Sequence, residues 1–372
     1  MKIGMFTDTY EPKIDGIVTS INAYTAELER RGHTVKIYSP KNAFFREAHK
    51  ADPDNTRIPS LSYYAYPDFR LSLPYNPRLV NKIRKEKFDV IHTHTPGSIG
   101  LMGIGAARLF GARSVHTYHT HLEEYVHYFP APEVVTKFGV KKIVSMFMNR
   151  HDAGIAPSAA IKKLLLEYGV NIPVTVLPSG ISLKNFEHVK PHQEAYSYLI
   201  TFGRVGSEKN LIFLLDAFTR LAPQFPDLHF MIVGDGPYFE ELTALVADRG
   251  LGHRIHLPGM LRHPELFPIV KGAHVFLSAS VTETQGLTTL EALACGTPAV
   301  AVQGPGVEDT LEGDRGGYLV PQDLEKFCEK VALLLTDKTV REAKSKEAVG
   351  RAEDFSIESC TDRLLEMYQE KN

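Results

Sequence analysis

The sequence predicts an α/β protein built as two doubly wound parallel-sheet domains in tandem. Three observations lead there. The 372 residues exceed what one ordinary core holds and suit two. Short apolar strands alternate with segments of helical period along both halves, the signature of a parallel sheet. A proline- and histidine-bearing connection, "PVTVLPSGIS" and "NFEHVKPHQEAYS", interrupts that alternation before it restarts. The boundaries read as 1–170 and 171–355, with a last helix at 356–372 packing back on the first domain.

In the first domain "KIGMF" is a strand and "IVTSINAYTAELERRG" a helix, with Ile17, Ile21, Tyr24 and Leu28 on one face; "HTVKIYSP" is the next strand. The pattern continues through the strand "FDVIHTHTP", the helix "GLMGIGAARLFG" and the strand "RSVHTYHTH". The second domain runs strand "YLITFGR", helix "NLIFLLDAFTRLA", strand "LHFMIVGDGP", helix "YFEELTALVADRG" and strands "RIHLPGM" and "AHVFLSAS". It ends with helix "GLTTLEALACG" and strand "TPAVAVQG". Two such domains imply a cleft, with the chemistry in loops at the carboxyl ends of strands.

Composition narrows the class. No polar tract is long enough for disorder, and no apolar run approaches the ~20 residues of a membrane span. With no signal-peptide pattern at "MKIGMFTDTY", the chain is expected to be cytosolic. Cys295, Cys328 and Cys360 are widely spaced and odd in number, which suggests buried thiols rather than disulfides or zinc. Residues 1–170 carry 23 Lys+Arg against 16 Asp+Glu, net +7, while residues 171–372 carry 19 against 28, net −9. A positive first domain suits an anionic partner. Nothing resembles a nucleic-acid module.

Four loops carry candidate chemistry. Gly16 precedes the first long helix, where backbone amides can approach an anion. "FGRVGSEKN" places Arg204 and Lys209 around a tight turn after a strand, a receptacle for a diphosphate. "VGDGP", with Gly234, is a further glycine-bearing loop after a strand. In "ETQGLTTLEA", Glu283 lies in a loop, Gly286 opens a helix and Glu291 sits inside it, with no lysine or arginine in the stretch to pair with either acid. That segment alone fits sugar and ribose recognition or a plain helix-start acid equally. The histidines of "HTH" (92–94) and "HTYHTH" (116–121), with "DPD" (52–54), are potential metal ligands. No metal is expected there, because histidines alternating along a strand would point to opposite faces and line or pack a cleft.

The combination of these loops, with "YHTH" and "ALACGTPAVA", resembles the retaining glycosyltransferases of family 4, which have the GT-B fold of two Rossmann-like domains facing a cleft. The resemblance runs along essentially the whole chain. It implies a metal-independent hexosyltransferase with no cofactor, whose nucleotide-sugar donor, UDP-glucose above all, is a substrate held mainly by the second domain. By position, Arg204 and Lys209 would neutralise the diphosphate and Glu291 would bind the ribose. Glu283, with the amides of Gly286 and Leu287, would hold the transferred sugar. His119 matches the family's active-site histidine and Gly16 the glycine that approaches the phosphates.

"TYHTHLEEYVHYFP" and "ETQGLTTLEA" resemble the branch that glucosylates diacylglycerol. An independent feature agrees: "VVTKFGVKKIVSMFMNR" reads as a basic amphipathic helix, with Lys137, Lys141 and Lys142 beside Phe138 and Phe147, suited to an anionic membrane interface. The expectation is a transferase lying peripherally on the inner face of the cell membrane. Alternatives are a related transferase using GDP-mannose, UDP-sulfoquinovose or a soluble acceptor, and a nucleotide-sugar epimerase or binding protein of the same fold.

Overall fold

A computed structural model describes residues 1–12, 15–41, 54–63, 66–72, 77–119, 133–280 and 282–370. The chain divides into two compact units, one of Met1–Gly180 with Ile357–Asn372 and one of Ile181–Ser356. The first contains β1 (Lys2–Phe6), α1 (Gly16–Arg30), β2 (Thr34–Lys41), β3 (Asn55–Tyr63), β4 (Tyr66–Ser72), α2 (Pro77–Glu86) and β5 (Val90–Thr93). It continues through α3 (Ser98–Phe110), β6 (Arg113–Thr117), α4 (Glu133–Met148), β7 (Ala153–Ala156), α5 (Ala159–Glu167) and β8 (Val174–Val176).

The second unit contains α6 (Lys184–Glu187), β9 (Ser197–Phe202), α7 (Leu211–Leu221), β10 (Leu228–Val233), α8 (Phe239–Asp248), β11 (Ile255–Gly259) and α9 (His263–Gly272). It continues through β12 (Val275–Ser278), α10 (Leu287–Ala294), β13 (Ala299–Val302), α11 (Val307–Thr310), β14 (Gly317–Val320), α12 (Leu324–Thr336) and α13 (Lys338–Glu353). The last helix, α14 (Ile357–Gln369), belongs to the first unit.

The first sheet is ordered β4-β3-β2-β1-β5-β6-β7-β8 and the second β11-β10-β9-β12-β13-β14. Strand order reverses beside β1 in one and beside β9 in the other, and ligands of open α/β sheets bind at such points. Parallel pairing holds except at β3 and β4, which run antiparallel. Their sequence separation of two residues is too short for a crossover, so a hairpin results. The division between units falls ten residues beyond the expected 170, because β8 still pairs with β7 and so belongs to the first sheet.

The cores follow from the strand pattern. β1 buries Ile3, Met5 and Phe6, and β9, β10, β12 and β13 bury nearly every residue, as strands covered by helices on both faces must. α14 joins α1 through two kinds of contact. Arg31 pairs with Glu27 and Asp362 and donates to the Glu358 carbonyl. Partly exposed ion pairs contribute only about 0–1 kcal/mol. Ile357, Leu364 and Met367 are 3% exposed or less, and burying each stabilises by about 1.5–3 kcal/mol, so apolar packing dominates the docking. The three cysteines are free and buried.

Candidate active site

In the second unit the loops after β9, β10 and β12 converge. Gly203, at φ 129°, and Gly234, at φ 148°, follow adjacent strands. A Cβ on Gly234 would lie 1.8 Å from the Gly203 carbonyl oxygen, so the backbones touch where side chains would stand. This close approach leaves an open cavity of about 340 Å³, bordered by Gly203, Arg204, Lys209, Ser278, Ser280 and Thr288. Arg204 leaves the end of β9, and Lys209 ends a single 3-10 turn anchored where Ser280 Oγ donates to the Glu208 carbonyl.

Glu283, without a cation in its own stretch, finds one 74 positions away: Lys209 Nζ donates to Glu283 Oε1. The tertiary fold therefore pairs two residues that the sequence presents as separate. The Glu283 loop is pinned from below. Thr310 Oγ1 donates to the Gln285 carbonyl at 2.8 Å, and Gly306 lies so close that a Cβ there would stand 2.2 Å from the Gln285 nitrogen. Gly286, at φ 72°, precedes α10 and has no side chain to cap the helix's first amides, a kind of group that suits an anionic or hydroxylated ligand.

Glu291 sits inside α10, 9% exposed, and burial pushes its carboxyl up to about 7. His263 Nε2 approaches it at 3.9 Å, while the His263 ring stacks on Phe267 at 4.7 Å. His263 was not singled out in the sequence; its position at the start of a helix after a strand was the available signal.

The first unit gathers a different chemistry. Asp15 caps α1, accepting from the Val18 amide at 2.9 Å and from Thr9 Oγ1 at 2.9 Å, and Gly16 follows it. Asp8, at the end of β1, caps α3 by accepting from Ser98 Oγ and the Ile99 amide, both at 2.9 Å. Burial raises its pKa against those hydrogen bonds. Five histidines cluster in the same unit. His94 Nδ1 and His119 Nε2 are 3.0 Å apart, His92 bonds Tyr368 and Thr117, and His116 and His151 share Thr93 Oγ1.

The expectation of opposite faces is wrong for His92 and His94. Two residues apart on a strand, they share a face, and their rings stand 4.1 Å apart. Burial lowers all five pKa values, His92 to about 3 and His119 and His151 to about 4, so the cluster is neutral at pH 7. Among the described residues no group of three His, Cys, Asp or Glu is arranged to hold a metal ion. Most of "TYHTHLEEYVHYFP" and of "DPD" lies outside the described residues.

The proposed membrane helix needs a correction. Phe147 is 4% exposed and packs edge-on against His116 at 4.9 Å, so it is a core residue. Among the described side chains of α4 the outward ones are Lys141, Lys142, Ile143 at 60% and Met146 at 47% exposure. Lys137 and Phe138 lie on the same helix, with side chains outside the described part. No helix among the described residues is long and apolar enough to cross a membrane.

With this geometry in place, comparison with known proteins assigns the family. Residues 14–185 match the model for "Glycosyltransferase Family 4" and residues 184–351 that for "Glycosyl transferases group 1". The alpha-monoglucosyldiacylglycerol synthase of Streptococcus pneumoniae is 33% identical over 86% of this chain and 75% of its own. The chain belongs to the family 4 glycosyltransferases. The enzyme of the same name from Acholeplasma laidlawii is 29% identical over 100% of this chain and 98% of its own. Among solved structures, sucrose-phosphate synthase from Thermosynechococcus elongatus superposes with a TM-score of 0.77 at 20% identity, over 99% of this chain and 98% of its own. HepE from Anabaena, in complex with UDP-glucose, gives 0.76 at 18% identity over 99% of each chain. The fold of this glycosyltransferase is GT-B.

Proposed function

We propose that this glycosyltransferase moves glucose from UDP-glucose to diacylglycerol at the membrane surface, with retention of configuration. The observation that carries the reading is the cavity at the ends of β9 and β12, where Arg204, Lys209 and Glu283 converge beside the uncapped start of α10. It is supported by a relative named for monoglucosyldiacylglycerol synthesis across most of the chain, and by UDP-glucose in a structure of the same fold.

Each residue then has a physical task. Arg204 and Lys209 neutralise the diphosphate, and the backbones of Gly16 and Gly234 allow close approach to the nucleotide. Glu283, with the amides of Gly286 and Leu287, accepts and donates hydrogen bonds to the sugar hydroxyls. Glu291 accepts from the ribose, an interaction that favours its ionised form and so pulls its raised pKa down. As the bond from C1 to the diphosphate breaks, its electron pair leaves on the phosphate oxygen and C1 becomes oxocarbenium-like. The acceptor hydroxyl bonds to the same face of C1, and its proton passes to that phosphate oxygen. Glu283 stabilises the cationic centre without forming a covalent bond, unlike the nucleophile of a retaining glycosidase, and His119 is assigned to the transferred sugar by its match to the family's active-site histidine.

Lys141 and Lys142, with exposed Ile143 and Met146, give α4 a surface suited to an anionic interface. The enzyme would work peripherally on the inner membrane face. Radiolabelled UDP- and GDP-sugars offered to mixed micelles of diacylglycerol and anionic lipid test the whole reading. An organic-soluble α-glucoside from UDP-glucose is expected. Donor hydrolysis without a lipid product would overturn the acceptor assignment.

A further inference from the structure

His119 does not stand alone, and the atom it contacts determines what it can do. Its Nε2 lies 3.0 Å from His94 Nδ1, and burial keeps both rings neutral at pH 7. Two neutral imidazoles joined this way share one N–H between the bonded nitrogens, so the tautomer of one dictates that of the other. His94 is 2% exposed, its ring lies against His92 at 4.1 Å, and its other nitrogen, Nε2, is buried without a hydrogen-bond partner.

That orphan nitrogen breaks the symmetry. A buried N–H with no acceptor is rarer and costlier than a buried lone pair with no donor. His94 therefore carries its proton on Nδ1, which places the lone pair of Nε2 at the orphan site. His94 Nδ1–H donates to His119 Nε2, and His119 must carry its own proton on Nδ1. The hydroxyls of Ser20, Thr117 and Ser179 border the small cavity beside His94, and groups of that kind can donate to such a lone pair.

His92 holds this arrangement in place. Its Nδ1 meets the Tyr368 hydroxyl and its Nε2 the Thr117 hydroxyl, both at 2.7 Å, which leaves the ring no freedom to turn. Tyr368 comes from α14, so the last helix of the chain supports the first unit's histidines directly.

We infer that His94 is a positioning residue that locks His119 as its Nδ1–H tautomer, making His119 a hydrogen-bond donor to an oxygen of the transferred sugar. The part played at the sugar rests on the proposed function; the tautomer itself does not. An imidazole held in this form can donate to a hydroxyl or ring substituent but cannot take a proton there, so His119 acts by orientation and polarisation and not as a base at Nδ1.

Two measurements on the full-length chain separate these claims. In the 15N NMR spectrum of histidine-labelled protein at pH 7, with His119 identified by its loss in His119→Ala, the lock requires a protonated Nδ1 and a bare Nε2. A protonated Nε2 on His119 in the unsubstituted protein overturns the inference with no variant of His94 needed. In the transfer assay, His94→Leu is expected to lower kcat about 10- to 100-fold with KM for the donor within about threefold, the usual cost of losing an orienting partner. His94→Asn, whose side-chain amide can occupy the Nδ1 position and donate, should recover most of that loss and restore a single tautomer. Equal loss in the Leu and Asn variants, with the His119 tautomer unchanged in both, would assign His94 a packing role and sink the lock. If His119→Ala itself transfers normally, the functional reading of His119 fails while the tautomer measurement still stands or falls alone.

Discussion

The two units place titratable groups at the same position of the same architecture, the carboxyl ends of parallel strands, yet arm them oppositely. In the second unit they are charged: Arg204 beside the ion pair of Lys209 and Glu283. In the first they are five neutral imidazoles bonded to hydroxyls and to one another. The difference lies in desolvation. Lys209 and Glu283 side chains keep about a fifth of their surface exposed and satisfy each other, whereas His92, His94 and His116 are 2% exposed or less and lose their charge to burial. A charged pocket suits a diphosphate; a neutral, hydrogen-bonding one suits hydroxyls and a developing cation that a fixed positive charge would repel.

The largest effect should come from the charged pocket. Glu283→Ala is expected to reduce transfer by about 1,000-fold or more while calorimetric affinity for UDP changes little, since the carboxylate addresses the sugar. Arg204→Ala should weaken both turnover and UDP affinity, the latter by about 10- to 100-fold. Near-normal turnover in Glu283→Ala would break the assignment of that pocket.

The histidine cluster of the first unit and Glu291 of the second should also respond to acid in opposite directions. The histidines of the first have folded pKa values below the unfolded value, so as pH falls below about 6.5 the unfolded chain takes up protons that the folded one refuses. Their contribution to stability is present at neutral pH and is lost progressively as pH falls from about 6.5 through about 4 and towards 3, at several kcal/mol in all. Hydrogen exchange followed by mass spectrometry, corrected for intrinsic rates, should show protection falling in the first unit between pH 7 and 5.

Glu291 has the reverse sign. Its folded pKa, about 7, lies above the unfolded value, so the stability it contributes in acid disappears as pH rises through 7. Glu291→Gln should match the parent near pH 4.5 and exceed it by up to about 3 kcal/mol at pH 8, with weaker donor binding. Denaturant titrations at both pH values test this, and an equal difference at both would remove the burial argument.

The smallest effect belongs to the surface of α4. Replacing Lys141 and Lys142 with Ser should weaken sedimentation with anionic liposomes by about 1 kcal/mol per lysine, leaving thermal unfolding unchanged. Unaltered sedimentation would remove that face from the membrane model.

Much of this protein was legible before folding. Apolar strands separated by amphipathic helices specify parallel sheets because the period of 2 or 3.6 residues decides which faces need covering, and Gly203, Gly234 and Gly286 mark turns that need φ above zero. The stretch β3 to β4 was less legible, because "NTRIPSLSYY" and "YPDFRLS" carry weak alternation. Local pattern could not report burial, so Phe147 looked like an outward aromatic while its ring fills the space between α3 and the histidines.

The sequence by itself determined the alternating fold, the glycines at its turns and the family, since these depend on residue type and spacing along the chain. Only the tertiary structure decided that Lys209 would meet Glu283 across 74 positions, that Glu291 would titrate near neutrality and that His94 would hold His119. Those properties arise from distance and desolvation between segments far apart in the chain, and neither quantity exists until the sheets have assembled.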